Sequence, residues 1–291
     1  MGTDIKDLKK PVIQDPKKKE SKPTSRKATS IFALIIIPVE FIIAELVFHY
    51  IFGDPSNFVD NNPAGNPLTG NLLGTAYKGG WVVPIIMTTF LMVITFSIER
   101  WITISRAKGK GNLTRFLKTI RENINVLNID AAKKACDMQR GSLANIIKAG
   151  LEKYQDMDKV EGVEVEKKVL AVQKELDEAT GIELPMLEKN LIILATIASI
   201  ATLLGLFGTV LGMIRAFSAL AHAGAPDAIA LASGISEALV NTAGGIGTSM
   251  LSICMYNFFT TQIDSIVYLA GEAGQSITHT FAYHHSDKSN K

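Results

Sequence analysis

The chain has 291 residues, of which 47% are hydrophobic and 20% are charged, with a net charge of +2. This hydrophobic share is high for a soluble protein with so much charge, so apolar and charged residues must occupy separate stretches. Two cysteines exclude a disulfide framework, and no nucleophile–base pair, phosphate-binding loop or metal-ligand spacing indicates an enzyme, a cofactor or a metal.

Polar and apolar residues rarely alternate, and long apolar stretches dominate the hydrophobic content. The sequence therefore predicts an all-α, polytopic membrane protein with four transmembrane helices. A helical domain is expected on the cytoplasmic side, and two of the helices are expected to extend beyond the bilayer.

Residues 1–29 contain nine Lys or Arg, four acids and three prolines, without apolar periodicity. This composition predicts a disordered basic arm in the cytoplasm. No aromatic residue is interleaved with the charges, so we expect no nucleic-acid binding. Orientation of the next segment in the membrane is the better interpretation.

Residues 31–52 form the first apolar stretch, which is too long for a signal peptide and lacks a small-residue cleavage site. Glu40 and Glu45 interrupt it, and an acid exposed to lipid at the bilayer centre costs a few kcal/mol. Two interpretations stay open. The acids reach the interface or pack against a neighbouring helix, or Glu45 shares a proton with His49, four residues further on.

Residues 81–98 form the second apolar stretch, after a loop at residues 53–80 that is rich in Pro, Gly and Asn. Trp81 and Trp101 mark its two ends, as expected for interfacial aromatics. Basic residues follow directly, at Arg100, Arg106, Lys108, Lys110 and Arg115. The positive-inside rule places this end and the N-terminus in the cytoplasm, which makes the loop extracytoplasmic.

Residues 99–189 carry 17 basic and 15 acidic residues and predict a cytoplasmic helical domain. Helical periodicity recurs at residues 113–124, 130–138, 143–154 and 163–179. Asn112 and Asp130 are candidate N-caps of two of these helices. The charges predict a solvated face, although a docking surface for a partner stays open.

Residues 190–283 predict a two-helix channel domain. The third span covers residues 190–221, and the fourth runs from residue 228 to about residue 256, after a bend at residues 222–227. Apolar periodicity continues beyond the fourth span, so this helix is expected to project from the bilayer before a polar cytoplasmic tail at residues 284–291.

Polar side chains within these two spans fall at similar depths. With the bend as the outer boundary, Thr209 lies roughly 20 Å down the third span and Thr242 roughly 22 Å down the fourth. Glu237 lies roughly 15 Å down and Arg215 roughly 10 Å down. An acid and two hydroxyls at mid-membrane predict the wall of an ion pathway.

The fourth span carries two polar rows. Glu237, Asn241 and Thr248 form the first, and Thr242 and Ser249 form the second, roughly 120–140° round the helix. Gly245 lies between the rows, and Gly244 and Gly245 both favour close packing against a neighbouring helix. We expect this broad face to line the pathway.

On the third span, Thr202 and Thr209 are stacked, and Gly208 and Gly212 form a row that lets another helix approach closely. Each feature has a structural alternative. Threonines often bond to their own helix backbone. Arg215 either reaches outward to the interface or pairs with Glu237, and such a pair would make the acid structural.

Two motifs in these spans are familiar. LLGLFGTVLGMIRAF (residues 203–217) and GISEALVNTAGGIGTSMLSICMYNFF (residues 234–259) resemble the signature helices of the MotA/TolQ/ExbB proton channel family, closest to its ExbB and TolQ branches. The family's pore threonine in GLFGTV falls on Thr209. Its glutamate and threonine in E-A-L-x-x-T fall on Glu237 and Thr242. The family's APG is ASG at residues 232–234, so a proline kink is not implied there.

The resemblance implies a homo-oligomer, by analogy a pentamer, surrounded by lipid in the bacterial inner membrane. The ring would enclose single-span partners of the ExbD/TolR type, which carry the proton-binding aspartate, and would pass motion to a TonB-like periplasm-spanning protein during outer-membrane import. Threonine hydroxyls do not titrate near neutral pH, so a titrating group from another chain is also required chemically.

A TolQ-like or MotA-like stator and a non-conducting scaffold remain alternatives. The span at residues 31–52 is extra relative to the common three-span ExbB plan.

Overall fold

A computed structural model describes the backbone of residues 25–221 and 228–289, and the side chains of residues 35–221 and 228–285. Within these ranges the protein consists of helices, turns and loops, without a β-strand, which confirms the predicted all-α class. Most of the basic arm, residues 1–24, and the bend at residues 222–227 lie outside the described residues. The chain divides into two compact units, Met1–Val39 and Glu40–Lys291, and the described part of the first is helical.

The α-helices are α1 (Ser25–Val47), α2 (Leu72–Tyr77), α3 (Val82–Ala107), α4 (Leu113–Asn125), α5 (Ile129–Gln139), α6 (Ser142–Asp158), α7 (Val165–Glu188), α8 (Leu191–Ala221) and α9 (Ala228–Ser289). In the part of the chain that the structure describes, four helical stretches are long and apolar enough to span a membrane, as predicted. They comprise α1 with the helical turn Phe48–Phe52 that follows it, α3, α8 and the first part of α9. α1 starts at Ser25, before the predicted apolar boundary.

The loop between the first two spans is ordered by side-chain amides. Asn57 Nδ2 donates to the carbonyl oxygens of Ile51 at 2.8 Å and Phe52 at 3.1 Å. Asn71 Nδ2 donates to Asn57 Oδ1 at 2.9 Å. Tyr77 of α2 stacks on the Phe48 ring with centroids 4.8 Å apart. These contacts fix the end of the loop, immediately before α3.

The second half of α9 forms the core of a helical domain, which consists of α4 to α7 and residues 263–285 of α9. α9 is 62 residues long, about 93 Å at the α-helical rise. Beyond the membrane stretch it buries a stripe of residues spaced three or four apart, the pattern of a helix packed on other helices. The stripe comprises Ile263, Ile266, Ala270, Ala273, Ile277 and Phe281.

Two details of this domain differ from expectation. Asn112 caps α4 by accepting from Thr114 N at 2.9 Å, as predicted, but Asp130 caps nothing. Asn128 caps α5 instead, accepting from Ala131 N at 3.1 Å, because the helix starts at Ile129, one residue earlier than the apolar pattern indicated. α9 also continues past residue 284 into the predicted tail, where His285 stacks on Phe281 and pairs with an acid of α6.

The buried thiol of Cys136 should be unreactive in the folded protein. Burial in the helical domain, next to Asp137, raises the pKa of this thiol to about 12. The thiolate is the reactive form, so we expect negligible alkylation of Cys136 by iodoacetamide at pH 8 and complete alkylation after unfolding. Peptide mass spectrometry would measure both, and rapid labelling of the native protein would contradict the prediction.

Candidate functional site

α8 and α9 run antiparallel with their backbones almost in contact. A Cβ atom placed on Gly212 would lie 2.6 Å from the Ala238 backbone nitrogen, and one on Gly245 would lie 2.5 Å from the Ala201 carbonyl oxygen. Gly208 faces the Asn241 side chain in the same way. Glycine is required at these positions because any side chain would meet backbone or a buried amide. The close approach brings short polar side chains of the two helices within reach of each other.

The hydroxyl groups of Thr209 and Thr242 are hydrogen-bonded to each other across this seam. Each hydroxyl also lies near a carbonyl of its own helix, Thr209 Oγ1 at 3.1 Å from the Gly205 oxygen and Thr242 Oγ1 at 3.1 Å from the Ala238 oxygen. The two threonines therefore occupy one level, with alternative acceptors for each hydroxyl proton. Thr209 also lines an apolar groove of about 510 Å³ on the outer side of α8.

Glu237 forms an ion pair with Arg215. Arg215 Nη1 donates to both carboxylate oxygens, at 2.7 Å and 2.6 Å. The Glu237 side chain is 5% exposed, whereas that of Arg215 is 52% exposed in the single chain. Of the two interpretations left open for Arg215, the structure shows the pair rather than an outward-reaching side chain.

The end of the loop before α3 covers this ion pair. Gly80 has φ +73°, and a Cβ there would lie 2.7 Å from Glu237 Oε1. Beside it, Asn241 Nδ2 donates to the Gly79 carbonyl oxygen at 2.9 Å. The sequence patterns did not indicate this turn as part of the site. The signal for it was the Gly-Gly dipeptide directly before Trp81, which permits both the positive φ and the close approach.

Both polar rows of α9 reach α8, through Glu237 in the first row and Thr242 in the second, but the first row also contacts α3. Asn241 and Thr248 are buried and line a groove of about 390 Å³ between α3 and α9. Ser249 lies on the other side, where its hydroxyl donates to the Ala198 carbonyl of α8. The polar residues expected to form one broad lining are thus divided between two contacts within the chain, because α9 packs against both α3 and α8.

The remaining predicted residues have local roles. Thr202 is exposed and bonds to the Ala198 carbonyl of its own helix at 3.4 Å, outside the seam. Gly244 packs on α3, where an added Cβ would lie 3.3 Å from Ile86 Cγ2.

Ser252 was not identified from the sequence. It is fully buried and donates to the Leu194 carbonyl at 2.7 Å, which extends the polar seam by one turn.

This arrangement offers a hydrogen-bonded hydroxyl pair and a carboxylate whose charge is balanced. Hydroxyls can donate to and accept from a proton carrier, but they do not themselves gain or lose a proton near neutral pH. Glu237 is held by a cation on the adjacent helix. The seam can therefore solvate and orient a proton-carrying group that reaches it from outside the chain.

The chain is similar in sequence to one family of known proteins. Residues 139–270 match the model of the MotA/TolQ/ExbB proton channel family. The Tol-Pal system protein TolQ of Haemophilus influenzae is 29% identical over 67% of this chain and 87% of its own length. TolQ of Pseudomonas aeruginosa is 27% identical, over 67% of this chain and 88% of its own. The biopolymer transport protein ExbB of Salmonella typhimurium is 25% identical, over 66% and 80%.

Proposed function

This chain belongs to the MotA/TolQ/ExbB proton channel family, and we propose that it is the proton-channel subunit of an energy-transducing motor in the bacterial inner membrane. Its four apolar helices fit a multi-pass membrane protein, and the function of the family is ion conduction rather than catalysis. The observation that carries the proposal is the direct contact of Thr209 and Thr242 beside the buried acid Glu237.

A partner chain completes the pathway in this proposal. The hydroxyl pair does not titrate, and Glu237 is already engaged by Arg215. We infer that single-span partners of the ExbD/TolR type supply the acid that carries protons past the threonines. Copies of this chain would form a ring around them, by family analogy a pentamer. Moving one charge through 100 mV releases about 2.3 kcal/mol, which suits small repeated steps.

We also infer the orientation from the distribution of basic residues. The N-terminus, the helical domain and the end of α9 would be cytoplasmic, and the loop at residues 53–80 would be periplasmic. This orientation places the Arg215–Glu237 pair and the covering turn in the periplasmic half of the membrane. The motor would then drive TonB-dependent import at the outer membrane through a TonB-like protein.

Removing the two hydroxyls tests the proposed pathway. Thr209→Val and Thr242→Val keep the side-chain shape but cannot bond to a proton carrier. We expect each substitution to lower proton-driven transport at least tenfold, corresponding to about 1.4 kcal/mol or more, while the complex still assembles. Transport would be measured in cells that lack the native gene, and assembly by size-exclusion chromatography of the purified complex.

Thr196 provides the matched control on the same helix. Among the described residues its hydroxyl bonds to the Ile192 carbonyl of its own helix alone, at 2.6 Å, so Thr196→Val should leave transport unchanged. A scaffold that conducts no ions is the alternative, because every threonine of the seam also bonds within the chain. Full transport by both seam variants would favour that scaffold. Co-purification with an ExbD-like or a TolR-like protein would distinguish the two branches.

A further inference from the structure

A second buried acid lies in the membrane part of this chain, away from the α8–α9 seam. Glu40 is 5% exposed although most of the side chains around it in α1 are exposed, Ile37, Val39, Phe41, Ile42 and Ile43 among them. Both of its carboxylate oxygens are buried, and neither has a hydrogen-bond partner among the described residues. The Thr95 side chain of α3 lies close enough to interact with this carboxyl group, although the geometry falls short of a regular hydrogen bond.

The charged groups flanking this site are already paired with each other. On the same helix, Glu45 lies 3.3 Å from His49. On α3, Glu99 follows Thr95 by one turn and accepts from Arg100 Nε at 2.6 Å. No cation therefore remains on either helix, within the described residues near Glu40, to balance a negative charge on it. An unpaired carboxylate in hydrocarbon is strongly disfavoured, and the neutral acid is the form that such a site accepts.

Glu40 is also well separated from the threonine pair. α3 and α9 run parallel, since Gly80 meets Glu237 at one end and Trp101 stacks on Phe258 further along, with centroids 5.8 Å apart. Thr95 is accordingly level with Ser252. Ser252 follows Thr242 by ten residues, so Thr95 lies about 15 Å nearer the helical domain than the threonine pair.

We propose that Glu40 is a second proton-binding site of this protein, a carboxyl group that holds its proton inside the membrane next to α3. It differs from Glu237 in kind. Glu237 is a carboxylate neutralised by a guanidinium, whereas Glu40 is neutralised by its own proton. The proposal does not depend on conduction through the seam, because it uses no residue of α8 or α9.

Dicyclohexylcarbodiimide distinguishes these two kinds of acid. A protonated carboxyl in an apolar site adds to the reagent: its proton moves to a carbodiimide nitrogen as its oxygen bonds to the central carbon. The acyl group then migrates to nitrogen, and no group leaves, so the peptide gains the mass of one reagent molecule. A water-soluble carbodiimide should not reach the site.

With the full-length protein in liposomes, we expect dicyclohexylcarbodiimide to label Glu40, and neither Glu45 nor Glu237, with less labelling as the pH rises. Peptide mass spectrometry locates the adduct. Glu40→Gln should abolish it and should still assemble, because the neutral amide resembles the neutral acid in shape. Labelling confined to Glu237 would overturn the proposal and would also contradict the ion pair.

Infrared difference spectroscopy tests the same point without a reagent. The carbonyl band of a protonated carboxyl group should be present in the native protein at neutral pH and absent from Glu40→Gln. Glu45→Gln is the matched control and should keep the band, because Glu45 is paired with His49 and partly exposed. Spectra of native protein and Glu40→Gln that coincide in this region would overturn the proposal, whatever the labelling shows.

Discussion

Replacing Arg215 with glutamine is expected to reduce proton-driven transport at least tenfold and to destabilise the folded protein. The substitution leaves Glu237 as a buried carboxylate without its cation, beneath the Gly80 turn. Breaking a fully buried ion pair costs about 3–5 kcal/mol. Because the guanidinium is half exposed, we expect roughly 1–3 kcal/mol here, the range for hydrogen bonds to charged groups. Thermal unfolding in detergent and transport in cells would measure the two effects.

The double variant Arg215→Gln/Glu237→Gln separates stability from function. It removes both charges, so no lone carboxylate is buried and most of the lost stability should return. Transport should remain low if the carboxylate is needed in the pathway. Recovery of transport together with stability would show that the pair only fastens α8 to α9 and the covering turn. An Arg215→Gln protein as stable and active as the native one would contradict the ion pair itself.

Alanine at Gly212 should have the second large effect. Its Cβ would lie 2.6 Å from the Ala238 nitrogen and 2.7 Å from the Gly234 oxygen, and backbone atoms cannot move aside as a flexible side chain can. Overpacking of a core typically costs about 1–3 kcal/mol. Here α8 and α9 must separate, which also parts the Thr209–Thr242 hydroxyls. We expect a lower unfolding temperature and loss of transport from this single added methyl group.

Gly247 is the matched control for that substitution. It lies in the membrane part of α9, and a Cβ placed on it would have no atom within 4 Å. Gly247→Ala should therefore be neutral or slightly stabilising, since alanine favours a helix over glycine by up to about 1 kcal/mol. Equal unfolding temperatures for the two alanine variants would show that the α8–α9 contact is looser than the structure has it.

The sequence predicted the long helices because each one carries a strong periodic signal, but it did not indicate the short helix α2, which lies inside the predicted loop at residues 53–80. The four spans follow from apolar length, and the domain helices follow from amphipathic spacing. Boundaries set by side-chain hydrogen bonds were less predictable. The amide of Asn128, rather than the carboxylate of Asp130, caps α5, and contacts of His285 keep α9 helical beyond the apolar pattern.

The depth of the polar residues was predictable, but their partners were not. Counting the helical rise from the predicted bend at residues 222–227 places Thr209 level with Thr242. The sequence does not indicate which helices each polar row of α9 contacts, because those contacts depend on how α3 packs. Nor does it indicate the role of Gly80, because the contact of Gly80 with Glu237 joins residues that are distant in the chain. Burial of Glu40 was likewise undecidable from α1 alone.

The unbroken course of α9 has a mechanical consequence. Thr242 and Phe281 belong to one helix, 39 residues or about 59 Å apart, and helical hydrogen bonding continues between them. A continuous helix transmits rotation along its axis. A small rotation of α9 at the level of Thr242 would therefore rotate its buried stripe in the helical domain by a similar angle. Movement of α9 at mid-membrane would then be transmitted to the helical domain outside the bilayer, because α9 is continuous between the two.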